Sequence, residues 1–133
     1  MADERLVEFW AKTIAMRSPV MMQQLHGAAL GMIAARRAMQ AAMPAEFVHC
    51  PSLDLLLALF VADGQAMPLA ELITATPAAP AVARRWIDVF VQRDLVTAHD
   101  ATAGLTEAGF RMIANTCQAV IESQMAGRVP NLN

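Results

Sequence analysis

The chain contains no tyrosine, a single lysine (Lys12), two cysteines and three histidines in 133 residues. Each shortage removes a class of chemistry. There is no Gly-rich phosphate loop and no Ser/His/Asp spacing, so nothing marks a catalytic centre and no enzymatic activity is expected. Metal ligation would draw on His26, His49, His99, Cys50 and Cys117. These show neither C-x2-C nor H-x3-H spacing, so neither a metal nor another cofactor is expected. Cys50 and Cys117 could pair arithmetically, but nothing points to secretion, and reduced thiols are the expectation. Cys117, among Ile113, Val120 and Ile121, reads as core. Cys50, beside His49, reads as a small buried residue at a helix start. A positive surplus is also missing: the net charge is −2. Residues 51–133 carry five basic and eight acidic groups, against five and four in residues 1–50. Tight non-specific binding to nucleic acid draws on many Lys and Arg contacts, which this balance does not supply. Long hydrophobic runs are absent too. The most apolar window, Pro19 to Ala35, holds Gln23, Gln24 and His26 and is too polar to span a bilayer. The start Met-Ala-Asp-Glu-Arg has no basic region leading an apolar one, so a cytoplasmic protein without membrane contact is expected.

What is abundant is apolar surface. Apolar residues make up 56% of the chain, where about 45–50% is usual for soluble domains. A single domain of this length has surplus apolar surface to cover, which predicts a homodimer with a large helical interface.

The periodicity is mostly helical. Asp3 to Arg17 predicts a helix with Leu6, Val7, Trp10 and Ile14 on one face and acidic residues in its first turns. Ser18-Pro19 breaks it, and a second helix runs to about Met43 with Met21, Leu25, Ala28, Met32, Ala35 and Met39 on one side. Gly27 and Gly31 permit a close helix approach there. A third helix spans about Ser52 to Asp63, with Leu53, Leu56, Leu57 and Phe60 apolar and Gly64 as its stop. Val96 to Leu105 is the only β candidate, a hairpin turning through Asp100-Ala101-Thr102. Thr106 caps a final helix that runs to about Met125, and the tail Gly127 to Asn133 reads as frayed.

Between these lies Pro68 to Arg93, two short helices joined by a turn at Thr76-Pro77. That is helix-turn-helix grammar, with a second helix able to enter a DNA major groove. Ala83, Ile87, Phe90 and Val91 are expected to face the core, and Ala81, Arg84, Arg85 and Asp88 to face outward. Arginine can bond guanine bidentately or hold a phosphate, so Arg84 and Arg85 are the principal candidate DNA contacts. Ala81 lies beside them, with Gln92 and Arg93 near the DNA backbone. Two adjacent arginines on a solvated helix face are also an ordinary solubilising pattern.

The order of the pieces L-A-E-L (69–72), R-R-W-I-D (84–88), D-L-V (94–96) and L-T-E-A-G (105–109) resembles the MarR family of winged-helix transcription regulators. The resemblance implies a mainly α winged helix-turn-helix with long dimerisation helices (1–50 and 106–126) around a winged core (51–105). It further implies a homodimer that binds double-stranded DNA and responds to a small aromatic effector. Trp10, Met22 and His26 are candidates to line a pocket for that effector, although methionines and aromatics at helical spacing more often form interface core. The chain departs from the family pattern at two places. Ala79, Ala81 and Val82 replace small hydroxyl residues, and the wing His99-Asp100-Ala101-Thr102-Ala103-Gly104 is short and lacks an arginine. The alternative is a winged-helix module that has lost DNA binding and serves as a protein-interaction dimer.

Overall fold

The computed structural model describes Arg5, residues 14–42 and residues 50–127. Most of the helix expected over Asp3–Arg17, including Trp10, lies outside these residues, as do Met43, His49 and the tail beyond Gly127. The first full helix, α1, is Pro19–Ala42. The Ser18 hydroxyl accepts a hydrogen bond from the Met21 amide at 3.3 Å and so caps its start. Leu25 and Ala29 of α1 are buried, with Met21, Met22, Ala28 and Met32 packed against the core. Ala35, expected on the same stripe, is exposed because the stripe drifts around a straight helix of this length.

Helix α2, Pro51–Val61, is the centre of the molecule. Leu55, Leu56, Leu57, Leu59 and Phe60 are buried, so the helix is apolar nearly all round. It packs against α1, against the C-terminal helix and against the helix-turn-helix. The chain leaves α2 at Ala62 in an extended conformation, and Gly64 at φ +64° supplies the left-handed residue that turns it back.

Strand β1, Ala66–Pro68, leads directly into α3, Leu69–Leu72, which tightens to a 3-10 turn at Ile73–Ala75. Helix α4 is Pro80–Gln92, with Pro80 in its first turn. Strands β2 (Val96–His99) and β3 (Thr102–Leu105) form a hairpin, and α5 is Glu107–Gly127. The sheet has three antiparallel strands in the order β1-β3-β2, with Ala66 opposite Gly104 and Val96 opposite Leu105. A helix-turn-helix between β1 and a returning hairpin is a winged helix, and the architecture is mainly α as expected.

Val96–Leu105 is therefore not the only β segment. Ala-Met-Pro has no alternating pattern; β1 forms because β3 offers it an unpaired edge. Two other expectations are corrected. Val91 is 41% exposed and does not join Ala83, Ile87 and Phe90 in the core. At about 100° per residue it lies some 60–80° round the helix from the centre of that trio. Cys50 is exposed, at φ 115°, just before α2. Cys117 is fully buried, as its neighbours suggested. None of the described helices is long and apolar enough to cross a membrane.

Candidate nucleic-acid interface

The site is built on α4, and α4 is held at both ends. At its start, the Thr76 hydroxyl accepts from the Ala78 amide at 3.3 Å, which fixes the turn from α3. Ala79 occupies the cap position and makes no side-chain cap, so the first amides of α4 are left without a side-chain acceptor. At its end, Asp94 adopts φ 58°. The Leu95 amide bonds the Phe90 carbonyl at 2.9 Å and the Asp94 amide bonds the Val91 carbonyl at 3.1 Å. This is a Schellman closure with aspartate where glycine is usual.

The same loop is knotted to α5. The Thr106 hydroxyl donates to the Asp94 carbonyl at 2.6 Å and accepts from the Gly109 amide at 3.0 Å. The Thr106 amide donates to the Leu95 carbonyl at 3.1 Å. A Cβ at position 109 would overlap that carbonyl oxygen, so glycine is required by close approach. The motifs D-L-V and L-T-E-A-G are thus two sides of one joint.

With α4 fixed in this way, its faces separate cleanly. Ala83, Ile87 and Phe90 are buried. Ala81, Arg84, Arg85, Gln92 and Arg93 are all exposed, as is Asp88. Among the described residues, none of the arginines 84, 85 and 93 makes an ion pair. Being consecutive, Arg84 and Arg85 diverge by about 100° around the helix. Arg84 borders a small cleft with Asp88 and Ala98 of the wing strand. Arg85 borders an apolar depression with Val82, Trp86 and Val89 on the opposite flank. Arg93 lies some 12 Å farther along the axis than Arg85, at about 1.5 Å per residue.

The wing is tied down. Asp100 and Ala101 form its two-residue turn, both at positive φ (49° and 62°). The Leu69 amide donates to the Ala101 carbonyl at 2.8 Å, which binds the tip to the start of α3. Ala103 is fully buried, so the wing strand is also core. His99, the one histidine of the wing, is exposed. From Ala66 to Leu105 the sequence holds three arginines and four carboxylates, so the cationic surface is narrow.

Of the pocket candidates, Met22 and His26 are half-buried on α1. The His26 ring lies 5.5 Å from that of Phe60, tilted by 54°, an edge-type packing contact. Trp10 lies outside the described residues.

A polar pair that sequence reasoning did not find joins α1 to α2. Arg36 Nε bonds Asp54 Oδ1, Arg36 Nη2 bonds the Cys50 carbonyl at 3.0 Å, and Gln40 bonds Asp54 Oδ2 at 3.2 Å. The bond to Asp54 raises the Arg36 pKa further above its ordinary value. The available signal was Asp54 itself, a lone carboxylate inside the apolar run Leu53 to Phe60, where an unpaired charge is costly.

No protein-family model matches the chain, and no curated protein matches it in sequence. Among solved structures it is similar to a MarR family transcriptional regulator from Silicibacter pomeroyi, at 22% identity and a TM-score of 0.48, covering 88% of this chain and 83% of that one. It is also similar to one from Streptomyces coelicolor, at 17% identity and a TM-score of 0.47, covering 90% and 78%.

Proposed function

We propose that this chain is a DNA-binding transcriptional regulator of the MarR type, acting as a homodimer that reads DNA with the outer face of α4. The carrying observation is the pair Arg84 and Arg85, exposed and free of ion pairs among the described residues, on a helix whose inner face is core. The uncapped N-terminus of α4 adds backbone amides and the positive end of a helix dipole, both suited to a phosphate. Ala81, Gln92 and Arg93 complete the surface. Ile14, Val20, Met112 and Met125 are exposed large apolar side chains of the N-terminal and C-terminal helical segments. A groove between α1 and α5, lined by Gly27, Ala28, Gly31, Ile121 and Met125, is where a helix of a second copy would pack. A small aromatic effector would sit near Trp10, Met22 and His26, and the protein would work in the cytoplasm.

The second reading is a protein-interaction dimer without DNA. It would rest on the apolar depression of Val82, Trp86 and Val89 on the flank of α4 and on the acidic balance of the winged core. The test is Arg84→Ala with Arg85→Ala, checked for fold by circular dichroism and titrated on duplex DNA from the chain's own locus. Each base-reading arginine should cost about 1–3 kcal/mol and relax preference at one position per half-site. Half-sites should lie about one helical turn apart. Absence of wild-type binding at low salt, or equal binding by the double variant, moves the assignment to the protein-partner reading.

A further inference from the structure

A cleft of about 570 Å3 opens between α1, α2, β1 and α3; its lining includes neither Met22 and His26 nor any residue of α4. Its apolar wall comes from Leu30 and Ile33 of α1, Ala58 of α2 and Met67 of β1. Leu30 is 55% exposed, so apolar surface at this cleft is open to water. A cleft of this size, with both apolar and polar walls, has room for a small molecule.

The charges around it are unequal. Asp54 lines the cleft, but its charge is already matched by Arg36. Asp63, in the turn before β1, and Glu71, on α3, are exposed carboxylates with no ion pair among the described residues. Arg37 is the one remaining cation of the lining. Two carboxylates against one guanidinium leave a single negative charge beside a cleft of mixed apolar and polar walls. An organic anion there would meet repulsion from two sides and attraction from one. A molecule with an apolar body and one positive charge would bury the body and satisfy the surplus carboxylate.

We propose that this cleft binds lipophilic monocations. The cleft joins α1 to α3, the first helix of the helix-turn-helix, so its occupant would touch both layers of the molecule. The inference stands on the cleft and its charges, and its test contains no DNA. Its failure and that of the regulator reading are therefore distinguishable.

Tetraphenylphosphonium and tetraphenylborate have the same shape and opposite charge, and both can be titrated calorimetrically into the full-length protein. The cation is expected to bind at least tenfold more tightly than the anion. Asp63→Asn with Glu71→Gln should bring the two within about threefold, and Arg37→Gln should tighten the cation by two- to threefold. Glu122→Gln with Asp94→Asn makes the same change in net charge outside the cleft lining and should leave the preference intact. Filling the wall with Ala58→Leu should weaken the cation; if that variant does not fold, the exposed charge variants still decide. Equal binding of the two probes, or equal effects of the cleft and control variants, overturns the proposal.

Discussion

The chain contains the dipeptide Arg-Arg twice, and the leading arginines of the two copies have opposite fates. In Arg36-Arg37, the first side chain is folded between α1 and α2 onto Asp54, 16% exposed, while the second faces the cleft. In Arg84-Arg85, both side chains stand in solvent without an ion pair among the described residues. What separates them is the partner helix. Arg36 faces the opening turn of α2, where Asp54 waits; Arg84 and Arg85 lie on the exposed face of α4. An arginine bound internally is part of the fold, and one left free is available to an outside anion. Adjacent identity in sequence says nothing about which is which.

The sharpest way to break the comparison is to remove Asp54. Asp54→Ala leaves Arg36 partly buried without its carboxylate, and chemical denaturation should show a loss of about 3 kcal/mol. Arg84→Ala should change stability by no more than about 0.5 kcal/mol. Equal costs would mean that the two pairs do not differ as described.

The cysteines divide in the same manner, and pH reveals it. Burial pushes the Cys117 thiol up to about 11 from an ordinary value of 9.0. The folded state favours the protonated thiol, so this contribution is complete below pH 9 and is lost as pH rises toward 11. The loss over that window should be about 2–3 kcal/mol, at about 1.4 kcal/mol per unit. Cys117→Ala should remove that part of the slope in denaturation measured across the window. At neutral pH a disulfide reagent should modify exposed Cys50 promptly and Cys117 only on unfolding. Prompt modification of both would contradict the burial of Cys117.

For DNA, Arg84→Ala should cost about 1–3 kcal/mol in affinity if it reads a base, whereas Arg37→Ala, remote from α4, should cost nothing. A matching loss at Arg37 would place the DNA elsewhere. The smallest effect is at the wing. His99→Ala should change affinity by less than about twofold, or roughly 0.4 kcal/mol. Deleting Ala101 to Ala103 is no substitute for it, because Ala103 is core and Ala101 anchors α3.

Much of the helical framework was legible in the residues because its punctuation is local. Thr106 caps α5 and Gly64 reverses the chain after α2. The outward positions of Arg84, Arg85 and Asp88 follow from period alone. What escaped reading depends on contacts distant in sequence. Strand β1 exists only through its pairing with β3 some 36 residues on. The Asp54–Arg36 pair spans 18 residues, and its bond to the Cys50 carbonyl gives that otherwise exposed segment a structural role. Val91 failed for a different reason: a stripe written as i, i+4, i+7, i+8 is wider than the surface α4 buries. The candidate interface was read more completely than the cleft, since one helix carries the former and four elements meet at the latter.

The joint at Thr106 and Gly109 sets how freely this sequence can vary. At position 109 the Leu95 carbonyl fills the space that any side chain would need. At position 106 the hydroxyl must both give and take a hydrogen bond. In a saturation screen for folded protein, the first position should tolerate glycine alone and the second only threonine or serine. The outer face of α4, a few residues away, should accept almost anything. The molecule thus has an immovable pivot beside a freely editable surface, and a new binding preference can arise there without renegotiating the fold.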